Sequence, residues 1–132
     1  MKKIFLSSLI CVFAVAFAHA QPGDFKPMSV EDRVKIAHLK IDSAFKPDAT
    51  KLVQVDSVFA AYYRTQDQIR KDLFASGERP DFQVMREKMQ PPMDARDTQL
   101  KAILTEEQFG IWKKDIEPSL TPRRGGGGGR RS

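Results

Sequence analysis

Apolar side chains recur every three or four residues through the middle of the chain, and no stretch alternates with a period of two. That spacing places them on one face of an α-helix rather than on a strand. After Ser29, the positions Val30, Val34, Ala37, Ile41 and Ala44 step by four, three, four and three, with Asp32 set to complete a capping box on Ser29. Pro47 suits the first position of a second helix, and Leu52, Val55, Phe59, Tyr62, Gln66, Ile69 and Leu73 continue it as a narrow seam with one polar member. Extended to Ala75, such a helix is about 43 Å long at 1.5 Å per residue. Gly77 to Pro80 break the pattern. A third helix is expected from near Asp81, carrying Phe82, Met85 and Met89, then kinked or interrupted at Pro91-Pro92. It resumes through Met93, Leu100 and Ile103, and a short fourth helix holds Phe109, Ile111, Trp112 and Ile116 before Pro118. The expected fold is all-α, a bent four-helix hairpin with a long second helix over residues 29–117. Seams this narrow leave one flank of each helix wet, so pairing of two chains into a homodimer is expected.

The turn into the fourth helix is written in Leu104-Thr105-Glu106-Glu107-Gln108. Thr105 fits the N-cap and Gln108 the N3 position, a reciprocal pair in which each side chain bonds the other residue's backbone N–H. Leu104 and Phe109 occupy the two positions of a hydrophobic staple. These four residues, Leu104, Thr105, Gln108 and Phe109, are assigned to architecture. Paired acids such as Glu31/Asp32 and Glu106/Glu107 sit in helix first turns, where they oppose the macrodipole.

The ends change the picture of where the protein works. Lys2 and Lys3, the apolar run Ile4 to Phe17, and Ala18-His19-Ala20 read as an export leader cleaved after Ala20. The apolar run is too short for a membrane span. Cys11 lies within it, and Ile10 before it lacks the small side chain a lipidation site needs. The processed chain, expected in the periplasm, then holds no cysteine and cannot rely on disulfides. Residues 21–28 read as a flexible lead-in and 118–132 as a disordered tail rich in Arg and Gly. Of the 22 Lys and Arg, two lie in the leader and four in the tail, so 16 face the 17 Asp and Glu of residues 21–122. The basic balance is therefore a property of the ends, and no nucleic-acid partner is implied. The tail is suited to touch anionic envelope surfaces.

Enzyme chemistry is not indicated. Past the leader, His38 is the one histidine, and no nucleophile–base set, phosphate-cradling loop or cofactor fingerprint is present. No cofactor is expected. Met85, Met89 and Met93 place a thioether on each successive turn, a pattern that could hold a soft metal ion, with His38 as a further candidate ligand. The same methionines suit pliable packing, and the two prolines are expected to disturb their register.

Taken with the leader and the helical pattern, Leu104 to Gln108 resembles the L-T-x-x-Q signature of the Spy/CpxP-like family of small periplasmic helical proteins. That family usually carries the motif twice. The corresponding first copy here, Phe45-Lys46-Pro47-Asp48-Ala49, keeps the frame and loses Thr and Gln. Leu52 to Tyr63 resembles the family's long helix, and Ala95 to Gln108 the approach to its second motif. The resemblance implies a cradle-shaped dimer and a role in ATP-independent chaperoning or envelope-stress buffering, with metal sensing in some branches. Under it, Phe82, Met85, Arg86, Lys88, Met89 and Met93 are the expected contacts with unfolded or envelope proteins. A metal-responsive protein and an envelope-adhesion module acting through the basic tail are the alternatives.

Overall fold

The computed structural model describes residues 27–121, and over them the chain is all-α, with no strand. Helix α1 spans Val30–Phe45, α2 Ala49–Phe74, α3 Phe82–Ile103 and α4 Glu106–Ile111. The last runs through a wide π-helical turn, Trp112–Ile116, into a final turn, α5, at Glu117–Leu120. The expected leader, residues 21–26 of the lead-in, and the tail from Pro122 lie outside the described residues. No helix among the described residues is long and apolar enough to cross a membrane.

Helices α1, α2 and α3 each start on a short polar side-chain cap. The Ser29 hydroxyl accepts from the Asp32 N–H at 3.1 Å, Asp48 from Lys51 at 2.9 Å and Asp81 from Gln83 at 2.6 Å. Pro47 is therefore not the first helical residue: Asp48 can accept an orphan N–H and Pro47 cannot, so the proline sits one place before the cap. Lys46 ahead of it adopts a left-handed φ of 44°, closing α1 with its N–H on Asp42 O. Gly77, at φ 76°, supplies the same geometry between α2 and α3.

Helix α2 is the axis of the molecule. Antiparallel α1 lies along it as far as the start of the arm, with His38 meeting Asp56, and Arg33 meeting Gln66 and Asp67. Antiparallel α3 runs along its other side, and the C-terminal turns fold back so that Trp112 meets Phe59 edge-on at 5.2 Å. The core is Ala37, Ile41, Val55, Val58, Phe59, Tyr63, Leu100, Leu104, Trp112 and Ile116. Because α2 has partners on more than one side, its buried face is wider than the expected seam and takes in Val58 and Tyr63. Ala44 is exposed, and the half-buried Phe45 packs on the core instead.

Two proline expectations are corrected. Helix α3 crosses Pro91 and Pro92 without a break. The carbonyls left without donors belong to Glu87 and Lys88, whose side chains are exposed, so water can reach that side of the helix. Pro118 likewise does not end the fold. It falls in the first turn of α5, where a missing N–H costs little, and the helical body reaches Leu120 rather than stopping at residue 117.

Burial is confined to one end. From Arg64 to Ala95 no residue is buried, although both helices continue through this stretch. The molecule is a small bundle with a two-helix arm projecting from it.

Candidate functional site

The arm owes its form to its sequence. Past Tyr63, α2 turns polar except for Ile69, Leu73 and Phe74, and α3 opens with Phe82, Val84, Met85 and Met89. Ile69, Leu73, Met85 and Met89 are half-buried, which accounts for the single layer of contact between the two helices. Phe74, Phe82 and Val84 are left over, 48%, 71% and 41% exposed at the tip. Of the residues expected to touch clients, Phe82, Arg86 and Lys88 are exposed, Met85 and Met89 are half-buried, and Met93 lies at the arm's root. Because α3 is continuous, Met85, Met89 and Met93 keep their helical register across the prolines, contrary to the disturbance expected there.

At the root stands Arg96, a guanidinium only 5% exposed. Its Nε and Nη2 donate to Asp97 Oδ1 at 2.9 and 2.6 Å, and Nη2 also donates to Glu117. Lys113 Nζ donates to Asp97 Oδ2 at 2.8 Å and pairs with Glu117, so two cations face two carboxylates. The Arg96 guanidinium also lies 4.7 Å from the Tyr62 ring centre and 5.2 Å from that of Trp112. Burial works against the charge on Arg96, but the bonds to Asp97 and Glu117 outweigh it and hold its pKa above the ordinary value. Burial likewise pushes Asp97 up, and its bonds to Lys113 and Arg96 more than reverse that. Lys113 is raised, its two carboxylate partners exceeding the burial that opposes them. Burial raises the Tyr62 and Tyr63 phenols.

A second polar link ties α1 to α2. Arg33 donates to Gln66 Oε1 at 3.3 Å and pairs with Asp67, and it lies 4.8 Å from the Tyr63 ring centre. Gln66 in turn donates to the Tyr62 hydroxyl at 3.2 Å, so the polar member of the α2 seam joins the two clusters.

The remaining sequence candidates lie apart from this site. His38 Nδ1 sits 2.9–3.0 Å from the two Asp56 carboxylate oxygens on the outer α1–α2 face, away from the methionines of α3. No group of three or more His, Cys, Asp or Glu side chains that could hold a metal is found among the described residues. The Thr105 box is formed in both directions: Gln108 N–H to Thr105 Oγ1 at 3.2 Å and Thr105 N–H to Gln108 Oε1 at 3.1 Å. Leu104 is buried, and Phe109 is half-buried beneath the Lys101 ammonium, 5.0 Å from the ring centre.

Sequence reasoning missed Arg96. Its signal was present: Met89, Met93, Arg96, Leu100 and Ile103 step by four, three, four and three, with the arginine inside the apolar series. Comparison of the chain with family models, with curated proteins and with solved structures returns no match.

Proposed function

We propose that the protein is an exported, ATP-independent holdase of the Spy/CpxP-like type, which as a homodimer binds unfolding or partner proteins of the envelope through its arm. The observation that carries this reading is the arm itself, two helices held together by one layer of contact with Phe74 and Phe82 facing solvent at the tip. Apolar side chains on a pliable support suit weak capture of varied sequences, and the half-buried Met85 and Met89 can repack around different clients. Exposed Arg86 and Lys88 beside them speed encounter with acidic segments. Release needs no nucleotide because each contact is weak, and the chain has no phosphate-cradling loop to use one. The leader supports placement in the envelope, and the Leu104–Gln108 motif supports the kinship.

Light scattering of a heat-unfolded client, mixed with the processed chain without nucleotide, tests the reading. The chain is expected to suppress aggregation at near-equimolar ratio. The Phe74→Ser/Phe82→Ser double variant is expected to lose most of that suppression while its helical circular dichroism stays unchanged. Absence of suppression by the parent chain overturns the proposal.

A further inference from the structure

At the arm's root a partly open cavity of about 430 Å³ lies between α1, α2, α3 and the C-terminal turns, within the size range of small-molecule sites. Its walls are aromatic and apolar, from Phe59, Tyr62, Tyr63, Trp112, Met93 and Leu120. What sets it apart is an imbalance of hydrogen-bonding groups. Arg96 uses Nε and Nη2 on Asp97 and Glu117, and its Nη1 has no partner among the described residues. The Trp112 indole N–H, covered from solvent and so not opening onto the cavity, has no acceptor among the described residues. Arg70 lines the same cavity without an ion pair among the described residues. The carboxylate and amide acceptors on the cavity wall are engaged: Glu117 by Arg96 and Lys113, Gln66 Oε1 by Arg33.

Charge points the same way. Arg96 and Lys113 are balanced by Asp97 and Glu117, and Arg33 by Asp67, which among the described residues leaves Arg70 as the uncompensated charge on the cavity. A cavity lined with rings that offers guanidinium N–H groups, and whose carboxylate and amide acceptors are engaged among the described residues, calls for an acceptor-only head on an apolar body. A planar head that accepts two parallel N–H groups suits guanidinium donors best.

We propose that this cavity binds a small amphiphilic monocarboxylate of the medium-chain fatty-acid class, its carboxylate on Arg70 and Arg96 Nη1 and its chain against Trp112, Phe59 and Met93. This site is independent of client capture at the arm tip. It provides an assay of its own, because Trp112 is the single tryptophan of the chain and lies in the cavity wall.

Decanoate is the probe, titrated below its micellar range into the processed chain, with Trp112 emission and calorimetry as readouts. A saturable change with one decanoate per chain is expected. Decanol and decyltrimethylammonium are expected to bind about tenfold more weakly, as loss of a charge-assisted bidentate contact implies. Arg70→Gln, at an exposed position that makes no contact in the core, is expected to weaken decanoate to a similar degree with its circular dichroism unchanged. Absence of saturation, equal binding of the alcohol or the cation, or full affinity in Arg70→Gln overturns the proposal.

Discussion

At Arg96 burial and pairing pull against each other. A guanidinium taken out of water is costly, and it is held there because two carboxylates and two aromatic faces surround it. Removing one carboxylate leaves charge behind, so Asp97→Asn is expected to destabilise the fold at neutral pH. The pH profile of the melting temperature gives the sign. Asp97 titrates below its ordinary 3.8 in the folded chain, so its contribution is complete above that value and is lost as acid carries the pH through the lowered one. Lys113 is raised above 10.5, so its contribution is complete below that value and is lost only as the pH rises past the folded one. The gap in melting temperature between parent and Asp97→Asn is therefore expected to stay constant near neutrality and to shrink at acidic pH below about 4. At Thr105 the local rule applies directly. Thr105→Ala removes one half of a formed box and is expected to cost about 0.5–2 kcal/mol in denaturant unfolding, with helix content retained. The Thr105 box was legible because a cap is a contract between residues three apart. The Arg96 cluster spans residues 62 to 117, and no local rule says which charge will find which partner.

Among the elements, α2 and α3 were legible in existence, because their three-four periodicity runs for many turns, but their burial was not. The pattern continues through Ile69, Leu73, Met85 and Met89 exactly as it does in the bundle, yet only the part facing α1 and the C-terminal turns becomes core. Periodicity says which face is apolar; only the presence of a third element decides whether that face is covered. The prolines show the same limit from the other side. Propensity favours a break at Pro91-Pro92, and the long apolar stripe on either side holds the helix together through it. The physical consequence is a gradient of local stability along α2 and α3. Amide exchange is expected to be fast from Arg64 to Ala95, where no side chain is buried, and slow around Val55–Phe59 and Leu100. Uniform protection along α2, resolved by mass spectrometry of overlapping peptides, would contradict a single-layered arm.

For the molecule as a whole, the proposed dimer and the proposed arm compete unless they use different surfaces. Pairing through the arms would hide Phe74 and Phe82 from clients. The outer α1–α2 face offers another route: Leu39 and Val53 are 56% and 64% exposed there, flanking an open groove of about 690 Å³. Around that groove Glu31 and Asp56 stand beside Lys35 and Arg64, an arrangement of both signs that a two-fold axis can bring into register with itself. A dimer built there leaves both arms free and gives each client two points of attachment, which raises avidity without any stronger single contact. The expectation is specific. Sedimentation of the parent chain at micromolar concentration should give twice the mass of one chain, and Leu39→Glu/Val53→Glu should reduce it to one. That variant should still slow client aggregation, though less efficiently per chain, whereas Phe74→Ser/Phe82→Ser should remain a dimer and lose the activity. If the Leu39/Val53 variant stays dimeric and the arm variant becomes monomeric, the arms are the interface and the client-holding surface lies elsewhere.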